Sequence, residues 1–215
     1  MKIGVLGTGA VGKRLSSRFA EVGHEVSVGT RDVAVTSERD SWFAEHPELA
    51  LRTHAEAAAF ADVVLNATAG DVSITTLHLA GADNLAGKVL IDVSNPLDFS
   101  NGYPPMLFVK DTSSLGEQIQ REFPEARVVK TLNTVNNTVM AEPKQLGGGD
   151  HTMFLCGNDA EAKTVVTGLL AEFGWEDIMD LGGIEMARGM EMYLALWVRL
   201  YPAVSHGNFN VKVVR

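Results

Sequence analysis

The run Lys2-Ile3-Gly4-Val5-Leu6 is short, apolar and β-prone, and it passes without a spacer into Gly7-Thr8-Gly9-Ala10-Val11-Gly12. Val11, Leu15, Phe19 and Val22 then recur at three- and four-residue steps, the spacing of one apolar helix face over Ala10–Val22. Gly23-His24 stops that helix, and Glu25–Val28 alternates as a second strand. A strand, a G-x-G-x-x-G turn and a helix in that order point to a dinucleotide-binding βαβ unit. Gly7 permits the tight turn, Gly9 lets the backbone approach a pyrophosphate, and Gly12 lets the helix pack closely on the strand. The free N–H groups and positive dipole end of the helix that starts at Ala10 would face the phosphates.

The rhythm continues downstream. Ala50–Arg52, Asp62–Asn66, Lys88–Asp92 and Arg127–Lys130 read as strands. Ala55–Phe60, Ser73–Leu79 and Leu115–Phe123 read as helices, the last stopped by Pro124. Strands alternating with helices imply right-handed crossovers and a parallel sheet covered on both faces. The expected fold class is α/β: a Rossmann-type, doubly wound, mostly parallel sheet with a C-terminal α/β extension. Residues 1–145 are expected to form the dinucleotide-binding domain, and residues 146–215 to extend the same domain and help complete its site, with Gly147–Gly149 at the boundary. In the extension, Thr152–Cys156 and Glu176–Met179 read as strands and Ala160–Phe173 as a helix. Ile184–Tyr201 reads as the longest helix, ended by Pro202, and Asn208–Arg215 as a β-prone tail.

Composition excludes some partners. A net charge of -9 argues against a nucleic-acid groove or an anionic membrane, though it permits a local basic pocket. No stretch approaches the ~20 apolar residues of a membrane span. The single cysteine, Cys156, follows Met153-Phe154-Leu155 and reads as a small buried hydrophobe, compatible with a reducing, cytoplasmic compartment.

The segment Val26-Ser27-Val28-Gly29-Thr30-Arg31-Asp32 narrows the choice of dinucleotide. A carboxylate near the end of the second strand accepts hydrogen bonds from the ribose hydroxyls of NAD and repels a 2′-phosphate. Here Gly29 gives room, Thr30 offers a hydroxyl and Arg31 a planar fork suited to phosphate, so NADP is expected over NAD. Asp32 is expected to point away or to cap the next helix.

With these features in view, the chain resembles the NADPH-dependent reductases of the deazaflavin coenzyme F420. It is also similar to the cytosolic oxidoreductase domain of the six-transmembrane metalloreductases. The resemblance is carried by "HEVSVGTR", "LIDVSNP", "VVKTLNTVNN" and "GNFNVKV" and covers nearly the whole chain. It implies a pyrophosphate loop at Thr8, Gly9, Ala10 and Val11 and a 2′-phosphate clamp at Thr30 and Arg31. It implies that Asn66, Ala67 and Thr68 line the ribose and nicotinamide, with Ser94, Asn95 and Pro96 at the same edge. Asn133, Val135 and Phe209 are implied to bind the electron acceptor. Deazaflavin reductases carry a histidine where this chain has Asn133, whereas the metalloreductase domains share the asparagine, so the acceptor stays open among F420, FMN or FAD and ferric ion.

Hydride transfer between nicotinamide and a flavin-type ring asks the protein for alignment more than for side-chain chemistry, so no obligatory catalytic acid or nucleophile is expected. None of His24, His46, His54, His78, His151 and His206 has metal-ligand spacing, so no metal is expected and each reads as a surface or loop histidine. Lys130 reads as a solvated strand-end charge, and with His206 it is the candidate proton donor for a second possibility, reduction of a small carbonyl or imine. A non-catalytic NADP-binding sensor or scaffold is a third. Met186, Met190, Met192, Leu194, Trp197 and Leu200 give the last long helix a broad apolar surface, a candidate homodimer interface as in related reductases.

Overall fold

Val63-Val64-Leu65 and Val89-Leu90-Ile91 carry apolar side chains on both faces, so each is stable only between two layers of helices. The computed structural model describes residues 1–215 and places them so. The strands are β1 (Lys2–Leu6), β2 (Glu25–Thr30), β3 (Ala50–Thr53), β4 (Val63–Asn66), β5 (Val89–Asp92), β6 (Leu97–Asp98), β7 (Met106–Leu107), β8 (Arg127–Thr131), β9 (Thr152–Gly157) and β10 (Asp177–Asp180). One eight-stranded sheet runs in the order β10-β9-β8-β5-β4-β1-β2-β3, and β6 and β7 form a small antiparallel pair. Every pairing in the large sheet is parallel except β8 with β9.

The chain leaves β1 toward β2 and β3 on one side, then returns to build β4, β5 and β8 on the other. That reversal between β1 and β4 opens a crevice beyond their carboxyl ends, where open α/β sheets bind ligands. The two faces of the sheet carry separate cores. One includes Ile3, Val5, Leu15, Phe19, Val63, Ile91, Val129 and Phe173, the other Leu6, Val64, Leu77, Leu90, Ile119 and Val128. Burying each such Leu, Ile, Val or Phe contributes about 1.5–3 kcal/mol.

The structure departs from the sequence reading in three places. β2 continues past Val28 to Thr30 because Gly29 and Thr30 pair with Arg52 and Thr53 of β3. The stretch read as a single helix over Ile184–Tyr201 is three pieces: Ile184–Met186, Ala187–Met192 and Leu194–Val204. Pro202 lies inside the last piece and does not end it. Proline cannot donate to the carbonyl four residues back. That carbonyl, on Val198, accepts instead from the hydroxyl of Tyr103. The tail Asn208–Arg215 forms no strand. It lies along the start of β9, where Thr152 N–H donates to Val211 O at 2.9 Å and the Thr152 hydroxyl accepts from Val213 N–H at 3.0 Å.

Gly147–Gly149 is a tight turn with positive φ at all three glycines, and β9 and β10 beyond it continue the same sheet. No helix is long and apolar enough to cross a membrane.

Candidate functional site

The glycine turn is shaped by contacts that only hydrogen at Cα permits. Gly7 has φ 124°, and a Cβ there would sit 2.7 Å from Ala67 O. A Cβ on Gly12 would sit 2.0 Å from Gly7 O, so the helix Ala10–Glu21 could not approach the turn. Gly9 differs: a Cβ there meets nothing within 4 Å, so the turn is open on that side. Gly9 is also the N-cap of that helix and makes no side-chain cap, and the first helical turn carries no acidic residue. Free N–H groups, a positive dipole end and open approach together fit an anion such as a pyrophosphate.

A cavity of about 460 Å³ extends from this turn along the ends of β1 and β2. Gly7, Thr8, Gly9, Gly29, Thr30, Arg31, Arg39 and His54 line it. The Thr30 hydroxyl is held by that of Thr36 at 2.7 Å. Asp32 lines the same cavity but caps the helix Val33–Arg39, accepting from Val35 N–H at 3.0 Å. This is the cap role anticipated for it, and it leaves Arg31 and Arg39 to set a positive lining that fits a 2′-phosphate.

A larger cavity of about 930 Å³ continues from the first, sharing Ala67, Thr68 and Ala69 with it. It brings together Ala10, Val11, Ser94, Asn95, Asn133 and Val135 from the sequence-predicted set. Its outer wall was not anticipated: Leu97, Phe99 and Phe108 from the β6–β7 segment, with Leu194 and Trp197 from the last helix. The density of aromatic residues between Pro96 and Phe108 was the signal available for it. Four predicted residues stand outside both linings. Gly12 packs beneath the turn, and Pro96 O accepts from Phe108 N–H at 3.0 Å. Asn66 is fully buried below the cavity floor, and Phe209 stacks on Trp197 with ring centroids 5.0 Å apart.

Beneath the floor lies a closed polar network. Lys130 Nζ donates to Asp92 Oδ2 at 2.7 Å and Ser94 O at 2.6 Å, and sits 2.9 Å from Glu191 Oε1. Asp92 Oδ1 accepts from Asn66 Nδ2 at 2.9 Å and from the Ser94 hydroxyl at 2.7 Å. Asn66 Oδ1 accepts from the Thr68 hydroxyl at 2.7 Å. Glu191 also accepts from the N–H groups of Leu115 and Gly116 at 2.7 and 2.9 Å. This corrects the reading of Lys130 as a solvated charge, since its side chain is 0% exposed. Burial opposes its charge, but Asp92 and Glu191 outweigh that and raise its pKa above the ordinary value of 10.5. His54 and His151 are likewise buried, not surface histidines, while His206 is exposed and lines neither cavity.

Asn133 joins the third edge of the cavity to the other two. Its Nδ2 donates to Asn95 Oδ1 at 3.0 Å and Met190 O at 3.1 Å, and its carbonyl accepts from Asn95 Nδ2 at 2.9 Å. Its Oδ1 is buried without a donor, and the indole N–H of Trp197 is buried without an acceptor. The larger cavity is therefore walled largely by apolar side chains, with an unmet acceptor and an unmet donor among its lining residues.

Similarity to known proteins follows the same division. Residues 2–96, which carry the glycine turn and the Arg31 cavity, match the family model described as NADP oxidoreductase coenzyme F420-dependent. A crystal structure from Arthrobacter sp. FB24, of a protein provisionally named an F420-dependent NADP reductase, superposes with TM-score 0.98 and 53% identity over 100% of both chains. The F420-dependent NADP reductase of Methanocaldococcus jannaschii is 27% identical over 93% of this chain and 92% of its own length. Metalloreductase STEAP3 of Rattus norvegicus is 30% identical over 94% of this chain, but the match spans only 37% of that longer protein. Imine reductases such as that of Aspergillus terreus share the fold at 18% identity and TM-score 0.66. Full-length likeness at 53% identity, with the family-model match over residues 2–96, shows that this chain belongs to the coenzyme F420-dependent NADP oxidoreductase family and is an NADP-dependent oxidoreductase.

Proposed function

We propose that the protein transfers a hydride between NADPH and a deazaflavin, with a flavin as the alternative acceptor ring, the ring being held in the larger cavity. The observation that carries this reading is that the two cavities meet at Ala67-Thr68-Ala69, so one cleft has an anion-facing end and an apolar, aromatic-walled end. Gly7 to Val11 would hold the pyrophosphate, Thr30 and Arg31 the 2′-phosphate, and Ala67, Thr68, Ser94 and Asn95 the ribose and nicotinamide. NADPH bound there supplies the hydride. Val135, Leu194 and Trp197 would exclude water from the acceptor ring.

Reduction of a small carbonyl or imine is the weaker reading, because both of its candidate proton donors are badly placed. Lys130 is enclosed in its ion network, and His206 lies outside both linings. We place the protein in the cytoplasm, which suits its one free, buried thiol on Cys156. We also propose a homodimer through the last helix, where Leu196, Tyr201 and Val204 are exposed.

The test is NADPH oxidation by the purified protein with coenzyme F420, FMN, FAD and a ferric chelate in parallel. Turnover is expected with F420, or failing that with a flavin. No turnover with either class of ring would overturn the reading, and turnover with a flavin alone would overturn F420 as the acceptor.

A further inference from the structure

His54 opens the helix His54–Phe60, which lies against β1 and β2. Its side chain is 5% exposed, and its Nδ1 is enclosed without a hydrogen-bond partner in the chain. Nδ1 is sealed against the sheet, which leaves Nε2 as the ring nitrogen that can meet a ligand in the cavity His54 lines. Gly29 makes the room. A Cβ on Gly29 would sit 2.9 Å from His54 Nδ1 and 3.1 Å from its Cα, so an alanine at the end of β2 would collide with the imidazole. The loss of a side chain at Gly29 and the presence of a ring at His54 are thus one feature.

We propose that His54 is a specificity-determining residue of the smaller cavity, an uncharged imidazole whose N–H donates to the 2′-phosphate of NADP beside Arg31. This role rests on the reading that Thr30 and Arg31 hold that phosphate. The charged groups lining the cavity are Arg31, Asp32 and Arg39. Burial first, and the Arg31 charge second, push the His54 pKa down to about 4, so the ring is neutral at physiological pH. A neutral imidazole keeps one N–H donor, adds no repulsion to Arg31, and does not repel a phosphate as a carboxylate would. A 5′-AMP moiety, with only a 2′-hydroxyl, gains much less from such a donor.

The test is calorimetric binding of 2′,5′-ADP and 5′-AMP to the wild-type protein, His54→Ala, His54→Gln and Arg31→Ala. His54→Ala is expected to weaken 2′,5′-ADP about tenfold and 5′-AMP less than about twofold, with His54→Gln recovering part of the loss. In the wild-type protein, the His54 ring ¹⁵N resonances should shift on addition of 2′,5′-ADP and stay put with 5′-AMP, a readout that needs no variant to fold. Equal weakening of both ligands, or ring resonances unmoved by 2′,5′-ADP, overturns the role of His54. If Arg31→Ala also fails to discriminate between the ligands, the phosphate clamp itself is wrong. If Arg31→Ala discriminates and His54→Ala does not, only the role of His54 falls.

Discussion

Lys130 Nζ stands 2.7 Å from Asp92 Oδ2 where neither side chain has any exposure. The pair joins the loops that line the cleft. Asp92 reaches Asn66 and Ser94, Lys130 reaches Ser94 O, and Glu191 ties both to the helix Leu115–Glu122. One cation with two carboxylates would leave an unbalanced buried charge, but Glu191 also takes two backbone N–H groups at that helix start. Lys130→Met should therefore strand two buried carboxylates and destabilise the protein by about 3–5 kcal/mol. Urea unfolding with an unchanged slope and a lower midpoint is the expected result.

The same pair predicts an alkaline limit. Lys130 has a folded pKa raised above its ordinary 10.5, so the folded state holds this proton longer than the unfolded chain. Its contribution is fully present below about pH 10.5 and is lost as pH rises through the higher folded value. Stability measured from pH 9 upward should fall through that window in the wild-type protein. The decline should be shallower in Lys130→Met.

Gly9 and Gly12 separate cofactor binding from folding. Gly12→Ala drives a Cβ to within 2.0 Å of Gly7 O and should destabilise the fold by about 1–3 kcal/mol. Gly9→Ala meets nothing in the protein and should leave the melting temperature nearly unchanged. Its Cβ would stand where the pyrophosphate approaches, so NADPH affinity should fall about tenfold or more. Thermal melts and NADPH fluorescence titrations on the two variants check both halves.

Asn133→Ala removes the bonds to Asn95 Oδ1 and Met190 O, and with them the link between two walls of the larger cavity. The acceptor should feel this more than NADPH. KM for F420 is expected to rise or kcat to fall by about tenfold, with the NADPH dissociation constant changed less than about threefold. Steady-state kinetics with each substrate varied in turn gives the split.

What the sequence made legible was mostly local. The turn from Gly7 to Gly12 specifies itself within six residues, and Asp32 caps a helix that begins at its next neighbour. Thr30 and Arg31 could be placed because strand ends fix where side chains emerge. What stayed hidden depends on partners distant in the chain. Lys130 meets Asp92 across 38 positions, so nothing near "VVKT" marks it as buried. The fit of His54 against Gly29 arises only once a helix docks on the sheet. Pro202 reads as a helix stop until Tyr103 is seen to occupy the carbonyl it leaves free. Phe209 was legible as an aromatic near the site, but the residue that lines the cavity is Trp197, which stacks on it.

The central claim is direct ring-to-ring hydride transfer, with side chains aligning the rings and none carrying the proton. NADPH deuterated at the transferring C4 position, reacted with coenzyme F420 in ordinary water, tests it most directly. Mass spectrometry of the reduced F420 should find one deuterium per molecule, bound to carbon and not exchanged with solvent. NADPH oxidation that leaves the reduced F420 unlabelled, or no oxidation with F420 or with a flavin in its place, would contradict it.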